Sequence, residues 1–255
     1  MKKIAVITGA SSGIGRRFAE TIDRGGQFDE VWVIARRTDR LDSLRASVPF
    51  PLRPLPLDLT DSASFDAYAA LLESERPEIA LLINCAGFGK FAATADTSLH
   101  DNLGMVNLNC KALLAMCQLS LPYMPRGARV INIASVAAFQ PIPYINVYAA
   151  TKAFVLYFSR ALNREWKPRG ITVTAVCPFW TKTEFFNRAL TEKTVVKKYI
   201  AMYSPMQIVD RAWHDALRGR DVSQFGFIAR AQSLLAQMLP HSLVMSVWQK
   251  QQKLD

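Results

Sequence analysis

The stretch Thr8-Gly-Ala-Ser-Ser-Gly-Ile-Gly15 constrains this chain more than any other. It follows an apolar run over residues 3–8 and opens a helical pattern over 13–25. Glycines at 9, 13 and 15 allow a tight turn, close approach of backbone to a phosphate, and close packing of the helix on the sheet. The start of that helix offers free N–H groups and the positive end of its dipole to an anion. A glycine triplet alone says little, but one set between a buried strand and a helix in the first βαβ unit points to a dinucleotide. The contacts expected from this loop are Gly9, Ser11, Ser12, Gly13, Ile14 and Gly15.

The same rhythm continues along the chain. Nearly unbroken apolar runs at 31–35, 79–84, 129–134 and 171–177 read as strands buried on both faces. Helical patterns at 62–74, 99–121 and 147–166 separate them, with Thr60 or Asp61 as the cap of the first. Strand alternating with helix specifies an α/β fold, a doubly wound parallel sheet with helices on both faces. Residues 52–57 carry Pro54 and Pro56, which remove ladder donors and suit an edge strand. In the strand order 3-2-1-4-5-6 the third strand is that edge. Beyond Cys177 the alternation loosens: 179–203 is aromatic and partly helical, 205–218 reads as a helix, 225–229 as a last strand, and 231–250 as an amphipathic tail. No repeat or linker interrupts the 255 residues, so a single domain is expected.

Charge and cysteine usage narrow the function classes. The formal charge of +10 invites nucleic acid or an anionic surface, but the basic residues are scattered and never exceed pairs such as Arg16-Arg17 and Lys197-Lys198. No basic-aromatic interleaving accompanies them, so no nucleic-acid partner is expected. Cys85, Cys110, Cys117 and Cys177 form no CxxC pair, and the three histidines show no ligand spacing. The expectation is no metal, buried thiols and a reducing, cytoplasmic setting. No apolar run reaches the roughly 18 residues of a membrane span. The opening Met-Lys-Lys and the short apolar stretch after it run into the glycine loop rather than a cleavage site.

After the second strand, a reader of a ribose 2′-hydroxyl would be Asp or Glu. Here the sequence is Ala35-Arg36-Arg37, and a guanidinium suits a 2′-phosphate through charge-assisted, potentially bidentate hydrogen bonds. NADP(H) is therefore preferred over NAD(H), with Arg36 the better candidate and Arg37 beside it. Tyr148 and Lys152 lie one turn apart within a helical stretch, about 6 Å apart at Cβ. A phenol titrates near pH 10. An ammonium one turn away favours the phenolate, bringing proton exchange toward neutral pH.

Four motifs occur together in this order: Thr8–Gly15, Asn84-Cys-Ala-Gly87, Ser135, and Tyr148-Ala-Ala-Thr-Lys152. In order and spacing they resemble the short-chain dehydrogenase/reductase family over residues 3–183. The resemblance implies a Rossmann-like domain with a seven-stranded parallel sheet and hydride transfer between nicotinamide and a ketone or secondary alcohol. It assigns Tyr148 as general acid/base and Lys152 as the group that tunes it and holds the nicotinamide ribose. Ser135 becomes the hydroxyl that polarises the substrate oxygen. Asn107 is the asparagine of the water relay, with Asn109 the neighbouring alternative. Asp58 is implied at the adenine and Asn84 in stabilising the sheet. The dinucleotide contacts extend to Leu59, Asn84, Ala86, Gly87, Tyr148, Lys152, Pro178, Thr181 and Thr183.

Two departures from the family pattern stand out. Cys85 replaces an asparagine-like position, small for small, and Phe179 follows Pro178 where the family has glycine. Phe179, Trp180, Phe185, Phe186, Phe139 and Tyr144 surround the expected substrate position and suggest an apolar, bulky, steroid-like ketone. Residues 179–255 are expected to form a substrate loop and C-terminal cap, the tail acting as a lid or subunit contact rather than a membrane anchor. The two long central helices, about 102–121 and 148–166, suggest a homodimer or homotetramer. The rival function is a non-catalytic NADP-binding regulator on the same fold; the full set Asn107, Ser135, Tyr148 and Lys152 argues for an enzyme.

Overall fold

The computed structural model describes residues 1–254 and has one sheet of seven parallel strands, in the order β3-β2-β1-β4-β5-β6-β7. The strands are β1 (Lys3–Thr8), β2 (Glu30–Ile34), β3 (Leu52–Leu55), β4 (Glu78–Asn84), β5 (Arg129–Ile133), β6 (Thr172–Val176) and β7 (Val222–Ser223). Helices α1 (Gly13–Glu20), α2 (Thr38–Ser47), α3 (Ala63–Glu75), α4 (Leu99–Val106), α5 (Ala112–Ser120) and α6 (Asn146–Trp166) form most of the crossovers. The chain ends with α7 (Phe185–Ala189), α8 (Pro205–Ala216), α9 (Phe227–Met238) and α10 (His241–Gln252).

Alternate residues of the central strands enter two separate cores. Ile4 and Val6 of β1 join one cluster with Leu82, Met116 and Leu156, while Ala5 and Ile7 join the other with Phe18, Ile83 and Val209. A strand buried on both faces has to be apolar at every position, which is why these runs show no polar alternation. Strand β3 lies at the edge, where Pro54 pairs with Val33 and the missing donor faces no further strand. Asp61 accepts from the Ala63 N–H at 3.0 Å at the start of α3.

The C-terminal quarter corrects two expectations. Residues 225–229 do not form a strand: the last strand is Val222–Ser223, and Gly226, at φ 92°, turns the chain into α9. A short apolar run has no period by which strand and helix are told apart. The tail is two helices broken at Pro240, each with its own buried stripe, Ala229, Ser233 and Ala236 on α9 and Val244, Trp248 and Gln252 on α10. Helix α2 buries only Leu41 and Leu44, too little apolar patterning to mark it in the sequence.

Helix α8 closes one face of the sheet. Ser204 and Gln207 form a reciprocal capping box with Pro205 in the first turn. Trp213 then packs edge-on against Phe18 of α1 at 5.3 Å, and its indole N–H donates to Thr21 Oγ1 at 3.0 Å. With Trp213 only 2% exposed, Trp213→Ala is expected to cost about 3–5 kcal/mol, read from urea denaturation followed by circular dichroism.

Candidate active site

Parallel strands carry their carboxyl ends to one side, and the sheet order reverses between β1 and β4. Thr8 Oγ1, at the end of β1, accepts from the N–H groups of both Cys85 and Ala86 at 3.1 Å, joining the two loops that leave those strands. Gly9 has φ 68°, and a Cβ there would meet Ala86 N at 2.7 Å, so only glycine fits. A cavity of about 690 Å³ opens from this point, lined by Ser11, Ser12 and Gly13 on one side and Ala86, Gly87 and Phe88 on the other.

The groove suits a dinucleotide on its own evidence. Ser12 stands at the start of α1 but does not cap it; its hydroxyl accepts instead from Arg37 Nη2 at 2.9 Å. The first-turn N–H groups of α1 therefore remain available to a phosphate. Gly13, Ile14, Gly15, Arg36, Arg37, Asp58, Leu59, Pro178, Thr181 and Thr183 all border the same cavity. Asp58 accepts from the Thr60 N–H and hydroxyl at 3.0 and 2.7 Å, with Arg36 Nη1 at 3.6 Å. Burial raises the Asp58 carboxyl, but those hydrogen bonds and the Arg36 charge outweigh it and hold the group below its usual range. Asn84, expected among the dinucleotide contacts, does not border the cavity: it is buried beneath the groove, its amide donating to Asn132 Oδ1 at 2.9 Å between β4 and β5.

Farther along the groove, Ser135, Tyr148 and Lys152 converge. Ser135 follows β5 and accepts from Ala137 N at 3.1 Å, which tightens the turn after the strand. Tyr148 projects from the first turn of α6 and packs against Phe91 and Phe185 at centroid distances of 6.2 and 5.6 Å. Lys152 is 5% exposed; its Nζ donates to Ile133 O at 2.8 Å and lies 5.7 Å from the Tyr148 ring centroid. Burial brings the lysine down to about 8. Burial also pushes the Tyr148 phenol up to about 12, opposed by a hydrogen bond with Ser135. The spacing argument expects a lowered phenol; instead, desolvation of the phenolate dominates, and the ammonium is engaged with a backbone carbonyl.

The two candidate asparagines stand in different surroundings. Asn107 is half-buried, whereas Asn109 is 1% exposed and faces the lysine. Asn109 Oδ1 accepts from Phe88 N at 3.0 Å, and its amide donates to Phe88 O at 2.9 Å and Thr151 Oγ1 at 3.0 Å. A Cβ on Gly87 would meet Asn109 Oδ1 at 2.9 Å and Lys152 Nζ at 3.5 Å, so the glycine makes room for both. The physical reason is helical phase. Met105, Ala112, Leu113 and Met116 form the inward face, and Asn109, one turn from Met105 and one turn from Leu113, falls on it through the π-helical turn over Asn107–Lys111 as it would in a regular helix. That stripe was a usable sequence signal, passing through position 109 and missing 107.

Other lining residues gave no motif. Phe179 lines the cavity and packs toward Trp180 and Tyr203 at 6.1 and 6.4 Å, so its ring is accommodated at the wall. Trp248 and Gln251 of α10 and Gln232 of α9 reach the same cavity. The Trp248 indole donates to Pro143 O at 3.1 Å, fixing the tail beside the segment that precedes Tyr148. Glu184 and Arg188 border the cavity from the loop after Pro178, brought there by tertiary contact alone.

Known proteins share these features. The family described as short chain dehydrogenase matches residues 3–194. Very-long-chain 3-oxoacyl-CoA reductase-A of Danio rerio is 30% identical over 209 residues, covering 78% of this chain and 65% of that protein. The chain thus spans just under two thirds of that relative. A short-chain dehydrogenase from Sphingobium yanoikuyae, solved with NADPH, superposes with a TM-score of 0.78 at 31% identity, covering 96% of this chain and 95% of that one. The bulky-bulky ketone specific alcohol dehydrogenase from Comamonas testosteroni gives 0.73 at 28% identity, over 96% and 94%.

The contrast between the two asparagines has a direct consequence. Asn109→Ala would orphan the buried Phe88 N–H and carbonyl and is expected to cost about 1–3 kcal/mol. Asn107→Ala is expected to stay within about 0.5 kcal/mol. Paired denaturation curves check the difference.

Proposed function

The chain belongs to the short-chain dehydrogenase/reductase family, and from that premise we propose that it is an NADP(H)-dependent oxidoreductase of bulky, apolar ketones and their secondary alcohols. The observation that carries this reading is a single cavity. It runs from Arg36 and Asp58, past Ser135 and Tyr148, to an aromatic end at Phe91, Trp180, Phe186 and Trp248. Phe91 sits at the centre of that end, with ring centroids of Trp180, Phe185 and Phe186 at 5.6, 5.9 and 6.3 Å. Such a wall offers a large dispersion surface and few polar partners, which suits an apolar body on each side of the carbonyl. The similarity to a bulky-bulky ketone specific alcohol dehydrogenase supports the same substrate class.

When bound, the nicotinamide supplies or accepts the hydride. Ser135 and Tyr148 point hydroxyl donors at the position of the substrate oxygen, where negative charge grows during reduction. The buried Tyr148 phenol stays protonated at neutral pH, the form that donates. Lys152, anchored on Ile133 O, places positive charge beneath that ring, and Asn109 fixes the Phe88 backbone next to it. Arg36, paired with Asp58 only at 3.6 Å, is the guanidinium most available to a 2′-phosphate. Gly9, Ser11, Ser12, Gly13, Ile14 and Gly15 would hold the pyrophosphate, and Thr183, against Gly13, would close over it.

Apolar side chains on the outer faces of α4, α5 and α6, among them Leu99, Leu103, Val106, Phe154 and Tyr157, support assembly as a homodimer or homotetramer. Free thiols at all four cysteines fit a reducing cytoplasmic setting. No described helix is long and apolar enough to cross a membrane.

Tyr148→Phe is expected to abolish ketone reduction while NADPH affinity stays within a few-fold, measured by coenzyme fluorescence; turnover near wild type would remove Tyr148 from the chemistry. Among ketones, diaryl and steroid-like compounds are expected to give higher kcat/KM than acetone or dihydroxyacetone. Turnover confined to the small polar carbonyls would refute the apolar pocket.

A further inference from the structure

The loop after Pro178 touches both banks of the coenzyme groove. On the bank formed by the glycine loop and the end of β2, a Cβ on Gly13 would meet the Thr183 side chain at 3.2 Å. The next residue, Glu184, accepts from Arg37 Nη1 at 2.9 Å and lies 3.5 Å from Arg40 Nη1. On the opposite bank, a Cβ on Gly89 would meet the Phe185 ring at 3.0 Å, and the Arg188 guanidinium lies 3.4 Å over the Phe88 ring. Six consecutive residues therefore bridge the crevice between the ends of β1 and β4.

Arg37 is committed to this bridge. Besides Glu184 it donates through Nη2 to Ser11 Oγ at 3.0 Å and Ser12 Oγ at 2.9 Å, and through Nε to Ser11 Oγ at 3.3 Å. Arg36, by contrast, has Asp58 at 3.6 Å. The two adjacent arginines have different partners.

We propose that Glu184 is a positioning residue, an ionic latch that straps the substrate loop across the coenzyme groove through Arg37 and Arg40, while Arg36 alone reads the 2′-phosphate. This rests on the nicotinamide-coenzyme reading above. A coenzyme beneath the strap leaves only after the latch opens, so the latch sets the dissociation rate of NADPH and NADH alike. Because Phe185, which packs on Tyr148 at 5.6 Å, is the next residue, the latch also holds the aromatic wall against the reacting centre.

Stopped-flow displacement of bound NADPH and of bound NADH tests this on wild type, Glu184→Gln, Arg37→Gln and the double variant. An exposed charge pair is worth up to about 1 kcal/mol, so Glu184→Gln is expected to raise both dissociation rates by roughly two- to five-fold. The double variant is expected to release coenzyme no faster than the quicker single one, because both substitutions open one contact. In wild type both rates are expected to rise with salt, and in Glu184→Gln that rise is expected to shrink. KM for the bulky ketone should increase in Glu184→Gln with kcat changed little. Arg36→Gln is expected to weaken NADPH selectively and leave NADH unchanged.

Unaltered release in Glu184→Gln overturns the latch. An effect confined to NADPH also overturns it, since Glu184 would then be competing with the 2′-phosphate for Arg37. Additive single effects overturn the pairing. A well-folded wild-type protein that binds neither coenzyme is a different result: it overturns the functional reading, and the latch falls with it.

Discussion

Thr8 Oγ1 takes two backbone hydrogen bonds from the loop after β4, and the arrangement of the whole site follows from that contact. Two parallel strands whose crossovers leave to opposite faces part at their carboxyl ends, and the gap is the natural place for a ligand. The threonine holds the two departing loops at a set separation, and Gly9 lets their backbones touch. With that spacing set, the start of α1 faces the groove from one bank, and Ala86, Gly87 and Phe88 face it from the other. Every other functional side chain is placed relative to these two banks.

The second constraint is electrostatic. Lys152 is almost wholly buried, and a buried ammonium is costly unless its donors are engaged. Ile133 O, at the end of β5, takes one of them, tying the long helix α6 to the sheet at the level of Ser135. Asn109 crowds the same space over Gly87 while satisfying both polar groups of the Phe88 backbone. Asn109 shares its inward helix face with Met105, Ala112, Leu113 and Met116, so a fully bonded amide stands within an apolar stripe.

Above these parts lies a second, aromatic layer. The aromatic wall is drawn from the loop after β4, the loop after β6 and the last helix, three segments distant in sequence. Its members pack chiefly on one another, so the pocket is shaped by mutual contact rather than by the sheet. The Glu184 carboxylate ties this layer to the adenosine end of the groove. The hydrogen bond from Arg37 and the charges of Arg37 and Arg40 hold that carboxylate below the ordinary glutamate range, outweighing its partial burial.

Much of the fold was legible in the sequence because strands buried on both faces must be apolar at every position, and because Pro54 suits only an edge strand, here β3, which ends at Leu55 just before Pro56. The glycine loop and the one-turn spacing of Tyr148 and Lys152 were equally readable, since both are local geometry. Helix α2, with two buried residues, and the two-residue strand β7 left too little pattern to see. What tertiary structure alone decided were matters of environment and long-range contact. Desolvation set Tyr148 and Lys152 against their solution behaviour. Folding over the groove gave Arg36 and Arg37 different partners. Sequence records which side chains are present and their local period. Which of them loses its water, and to what partner it turns, depends on atoms brought together from distant parts of the chain.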